Sequence, residues 1–141
     1  MNILKKLAVG LGCRSLVVIF LFSTLSAAAQ EQLPESEIAG VVSGNTLFGK
    51  TERGADFHVH HSPNGQMSGQ ARLAYYDVGT WAVSGKGEYC RQWTNWRDGA
   101  RDCFVIFKLG NNQYQLKGVN YHYDSKFTIH EGDPKNLKGR I

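Results

Sequence analysis

The segment DFHVHH, Asp56 to His61, holds three of the five histidines in the 141-residue chain. On a strand, His58 and His60 point to the same face, close enough for two imidazoles to reach one Zn or Cu ion. A third ligand is needed, and His122 and His130 are the candidates. The competing reading is a pair of ordinary surface histidines. A second concentration of reactive types lies between Glu88 and Phe104, EYCRQWTNWRDGARDCF, with two cysteines, two tryptophans and three arginines. Trp96 and Arg97, with Trp93 beside them, could hold an acidic or sugar-like partner through ring-face and cation contacts. Alternatively, arginine stems pack over the rings and the cluster caps the fold. Catalytic patterns are missing: there is no G-x-S-x-G elbow, no H-E-x-x-H and no glycine-rich phosphate loop. The aspartates, Asp77 among them, mostly fall at turn positions, where Asp side chains serve the backbone. No enzyme is expected.

The elements that position these residues lie beyond the first 29. Lys5, Lys6 and Arg14 precede the apolar run LVVIFLF, and STLSAAAQ comes after it. That order is a Sec-type signal peptide with an A-x-A cleavage site, and the apolar run is too short for the roughly 20 residues of a membrane span. Residues 1–29 are therefore read as a signal peptide and 30–141 as one domain, periplasmic or secreted. Cys13 leaves with the signal, as do three basic side chains. The whole-chain charge of +4 falls to +1, with 13 basic against 12 acidic groups. Nucleic-acid binding, which needs a basic stripe, loses its support. No membrane span is expected in the mature chain.

Within the domain, Pro34 and acidic residues ahead of Ile38, Val41 and Val42 begin a short helix, which Gly44 ends. Turn signals then recur about every ten residues: Arg53-Gly54, Pro63-Asn64-Gly65, Asp77-Val78-Gly79, Gly85-Lys86-Gly87, Arg97-Asp98-Gly99 and Gly110-Asn111-Asn112. Alternating patterns lie between them, with Phe57, Val59 and His61 on one face and Trp81 with Val83 on another. The fold class expected is mainly β: an antiparallel meander of about eight strands, closed as a small barrel or rolled sandwich, with one short N-terminal helix. The strands are expected near 46–50, 56–61, 66–75, 80–84, 88–94, 101–108, 113–117 and 126–130.

A loop at Asn95 to Asp98 with a left-handed Gly99 makes hairpin partners sum to 193. Cys90 then faces Cys103, Arg91 faces Asp102, Tyr89 faces Phe104 and Trp93 faces Ala100. An even cysteine pair in an exported chain at facing positions predicts a disulfide. A redox role is the lesser alternative, since C-x-x-C spacing is absent.

SGNT at Ser43, SPNGQMSG at Ser62, GTW at Gly79, YCRQW at Tyr89 and CF at Cys103 occur in an order that resembles a family of small exported bacterial proteins known as a domain of unknown function. The resemblance covers nearly the whole mature chain. It implies a compact, mostly β exported domain without an accepted activity, a hairpin glycine at Gly65 and structural cysteines at Cys90 and Cys103. Aromatic residues are more usual in that pattern around His60 and His61, so histidine chemistry is peculiar to this member. The functional expectation is a non-catalytic envelope binding module without a cofactor, taking a small apolar ligand in the barrel or an envelope protein at the Trp96 end. The alternatives are a metal-binding protein through the histidines, or a secreted hydrolase inhibitor built on a rigid loop.

Overall fold

The computed structural model describes residues 30–140. The predicted signal peptide lies outside the described residues. The described chain runs β1 (Glu31–Gln32), α1 (Glu35–Val42), β2 (Asn45–Lys50), β3 (Asp56–His61), β4 (Gln66–Ala71), β5 (Tyr75–Ser84), β6 (Glu88–Trp93), β7 (Arg101–Gly110), β8 (Gln113–Gly118) and β9 (Asp124–Glu131). Each strand from β2 to β9 pairs antiparallel with its chain neighbours, and β9 pairs back onto β2. The result is a closed up-and-down barrel of eight strands, the first of the two closures that the sequence leaves open. Short β1 adds to the far half of β7 through Glu31↔Lys108 and Gln32↔Phe107.

Strict alternation decides what enters the barrel. On β3, Phe57, Val59 and His61 face inward; on β6, Tyr89, Arg91 and Trp93; on β7, Asp102, Phe104 and Ile106. Two apolar clusters fill this interior. Leu47, Tyr89, Phe104, Ile106, Leu116 and Phe127 pack with Ile38 and Val42 of α1, so the helix seals one end. Phe57, Val59, Met67 and Trp93 form the other cluster, joined by Trp81 and Trp96. Gly69 makes that second packing possible, because a Cβ there would strike the ring of Trp93 and lie 2.8 Å from that of Trp96.

The hairpin register holds for Tyr89↔Phe104, Cys90↔Cys103 and Arg91↔Asp102, and the ladder stops at Gln92↔Arg101, before Trp93 and Ala100. Cys90 and Cys103 form the disulfide, with Cα atoms 4.0 Å apart. Their neighbours Tyr89 and Arg91 point in, so the bridge lies on the barrel's outer wall. Gly99 is left-handed as expected (φ 69°), and so are Arg97 (φ 59°) and Asp98 (φ 53°). One turn is misplaced by the sequence reading. The chain reverses at 72–74, and β5 runs unbroken through Asp77-Val78-Gly79, paired on both sides. Gly79 is a packing glycine there, with no room for a Cβ beside Gln92 and Met67, and does not serve a turn.

The tail after β9 crosses the outer wall. Asp133 accepts hydrogen bonds from the Leu137 and Lys138 N–H groups, Leu137 is buried, and Arg140 donates to the Tyr76 hydroxyl at 3.1 Å. No helix among the described residues is long and apolar enough to cross a membrane.

Candidate functional site

The two ends of the barrel differ chemically. Helix α1 covers the end with the β3–β4, β5–β6 and β7–β8 turns. The opposite end is a mouth framed by the four connections 51–55, 72–74, 94–100 and 119–123. Among the described residues, the exposed large hydrophobic side chains, Leu73, Tyr75 and Val119, all sit at this mouth, on the β4–β5 and β8–β9 sides.

The β6–β7 tip curls back over the barrel end, leaving Arg97 and Asp98 exposed but Trp96 half-buried. Inward-facing Asp77, on the middle of β5, accepts hydrogen bonds from the backbone N–H groups of Asn95 (2.9 Å) and Trp96 (2.7 Å) and from the Asn95 amide (3.0 Å). Burial alone would raise the Asp77 pKa, but the N–H donors of Trp96, Asn95 and Val78 outweigh it and hold the carboxyl below its ordinary range. An aspartate that the sequence suggests for a local turn instead ties down a loop 18 residues away. Trp96 is thereby folded over the mouth, 4.5 Å from Trp93 between ring centroids and stacked with Tyr75 at 6.4 Å.

Beneath the tip is a cavity of about 340 Å³, walled by Phe57, Val59, Trp93, Trp96, Tyr121 and Tyr123. It adjoins a groove of about 570 Å³ that shares Thr51, Glu52, Ala71, Trp96 and Tyr123 and leads out past Tyr75. Trp93 and Trp96, named from the sequence, are brought together here. Tyr121 and Tyr123 carry no such sequence signal; they lie in an irregular connection and gain meaning only when the barrel closes.

Arg91 also lines the cavity. Its side chain is inside the barrel and only 8% exposed. The guanidinium carbon lies 4.6 Å from the Phe104 ring centroid, 5.7 Å from Tyr123 and 5.9 Å from Trp93. The expected Arg91–Asp102 charge pair is absent, although the two residues do face each other. Asp102 instead accepts from Arg97 Nε and Nη2, each at 3.2 Å. The left-handed turn at Arg97 and Asp98 sends the Arg97 side chain back along the strand to reach it. Arg97 also lies 4.2 Å over Tyr121, so it stiffens the rim with its charge already matched. The ion pairs among the described residues are Lys50–Asp56 and Arg97–Asp102, which leaves Arg91 without a carboxylate; its Nε is buried with no hydrogen-bond acceptor. Burying an unpaired ion costs several kcal/mol, more than ring-face contacts of about 2 kcal/mol offset singly.

The histidines divide between the two walls. His61 is fully buried inside, its Nε2 2.6 Å from the Tyr89 hydroxyl. Burial pushes its pKa down to about 3 and that of Tyr89 up to about 12, so both are neutral at ordinary pH. His58 and His60 share the outer face as expected. His60 lies beneath the tail, its Nδ1 3.1 Å from Thr46 Oγ1 and from the Gly132 carbonyl. His58 and His130 each pack on Phe48, at 4.4 and 4.1 Å between centroids. His122 is in the 119–123 connection on the mouth and not on a strand. Burial lowers the pKa of both His58 and His60, which favours the neutral imidazole a metal requires. No third donor among the described residues joins them: the metal-like trio there is Glu88, Cys90 and Cys103, whose sulfurs are bonded to each other. A larger hollow, about 770 Å³, is a groove on the outer wall around Phe48, His58, Lys126 and Lys135. Its rim is charged with both signs and it reaches no buried unpaired cation, so the mouth is the better candidate.

No protein-family model matches this chain, and no curated protein matches it.

Proposed function

We propose that this chain is an exported, non-catalytic binding module, and that it holds a small ligand with an apolar or aromatic body in the mouth of the barrel. One observation carries the reading: the loop tip bearing Trp96 is bound inward by Asp77, so that two indoles and two tyrosines line a cavity at the end the helix leaves uncovered. Ligand sites of this kind are concave, mostly apolar and carry few polar groups. An inward-leaning Trp96 suits a small ligand better than a protein partner, for which the ring would stand out from the tip. Periplasmic or secreted placement rests on the signal-like N-terminus and agrees with the disulfide. The resemblance to an exported domain of unknown function points the same way.

The test uses N-phenyl-1-naphthylamine, an uncharged apolar fluorophore. Its emission is expected to rise on 1:1 binding, with shifts of the Trp93 and Trp96 indole N–H resonances. Trp96→Ala should weaken the binding about tenfold while the fold stays intact, since one ring face is lost. Absence of saturable binding would overturn the reading.

A further inference from the structure

The mouth cavity has an apolar wall and a cationic floor, and the cation lacks a carboxylate: the Tyr89 and Tyr121 hydroxyls lie against the Arg91 guanidinium but carry no charge to match it. Arg91 is buried without an anion: its facing carboxylate, Asp102, is committed to Arg97, and Asp77 is committed to the tip amides. Glu52, the other carboxylate at the cavity, lies on the rim and accepts the Asp124 N–H at 3.1 Å. A guanidinium cannot shed its charge at any ordinary pH and offers five donors in a fixed fork. Methionine would fill the same space without the desolvation cost. Arg91 Nε is buried with no acceptor, beside a cavity large enough to supply one.

We infer that the ligand carries an anionic head, a carboxylate or its equivalent, which the Arg91 guanidinium receives while the apolar body lies against Trp93, Trp96 and Tyr123. This deepens the proposed function and rests on it. The tyrosine hydroxyls sharpen the selection. Tyr121, whose pKa burial pushes up to about 12, remains a neutral donor beside the guanidinium and would not repel the head.

The experiment compares 2-naphthoate with 2-naphthylmethanol, two probes of nearly the same shape, by calorimetry and by ¹H–¹⁵N spectra of the whole mature chain. Naphthoate is expected to bind about 10- to 100-fold more tightly, the worth of a charge-assisted hydrogen bond. It should shift the Arg91 Nε–H resonance, and the alcohol should not. In Arg91→Met, identified by loss of that resonance, the preference for naphthoate over the alcohol should vanish. Equal binding of the two probes by the wild-type chain would overturn the inference and leave the ligand-binding mouth standing. So would a preference that survives Arg91→Met. Should that variant fail to fold, the wild-type comparison and the Arg91 resonance still decide. If neither probe binds, the proposed function falls and the inference falls with it.

Discussion

His61→Gln should remove a specific share of the acid sensitivity of this protein. The native imidazole, buried against Tyr89 and Trp81, keeps a pKa of about 3, whereas the unfolded chain has the ordinary histidine value of 6.5. A lowered folded pKa means that between those values the unfolded state binds a proton that the native state refuses. Stability from this group is therefore full above pH 6.5 and declines as pH falls toward 3. The slope approaches about 1.4 kcal/mol per pH unit, so about 2 kcal/mol is lost between about pH 6.5 and 4.5. His58 and His60, also lowered by burial, add smaller losses of the same sign. Asp77 and Asp56, lowered from 3.8, act only at more acidic pH. The variant isolates the His61 share because glutamine can still bond the Tyr89 hydroxyl. Urea unfolding at half-unit steps from about pH 7 to 4.5 gives the assay. Wild type should lose about one proton's worth of slope more than His61→Gln. Parallel pH profiles for the two chains would refute the assignment of a neutral interior imidazole.

Three further outcomes rest on named contacts. Replacing both Cys90 and Cys103 by serine should cost about 3 kcal/mol through the freed loop, measured by urea unfolding, with naphthalene-probe binding unchanged because the bridge lies on the outer wall. Gly69→Ala should cost about 1–3 kcal/mol and shift both the Trp93 and Trp96 indole resonances, since its methyl enters the space their rings occupy. Asp77→Ala should cost about 1–3 kcal/mol, by leaving the tip N–H groups without their acceptor. Hydrogen exchange of Asn95 and Trp96 should accelerate, while Leu47 and Leu116 at the helix end stay protected.

Period-two patterning made most of the barrel legible, because inward and outward positions read directly from strands such as Phe57–Val59–His61. The Cys90–Cys103 register was legible for a related reason: a hairpin with a left-handed glycine leaves one alignment that satisfies both the sulfurs and the Tyr89–Phe104 pair. The β4–β5 reversal was not. Asp77-Val78-Gly79 has turn composition, yet its aspartate is required by a distant loop and its glycine by the crowding of Met67 and Gln92. Local composition and tertiary demand give the same residues there. Trp93 and Trp96 could be named in advance, but Arg91 was matched to Asp102 by register alone. Only the curl of the tip, which returns Arg97 onto that carboxylate, shows that Arg91 is left over. Tyr121 and Tyr123 reach the cavity through closure of β8 and β9 on their neighbours, a non-local event that no window of sequence contains.

Native mass spectrometry of the protein, isolated gently from its own cells, tests the proposed ligand-binding mouth most directly. The expected spectrum shows a mass excess from one small organic anion, released when the barrel unfolds. A bare polypeptide mass in a folded, disulfide-bonded preparation would contradict a mouth built to hold a ligand.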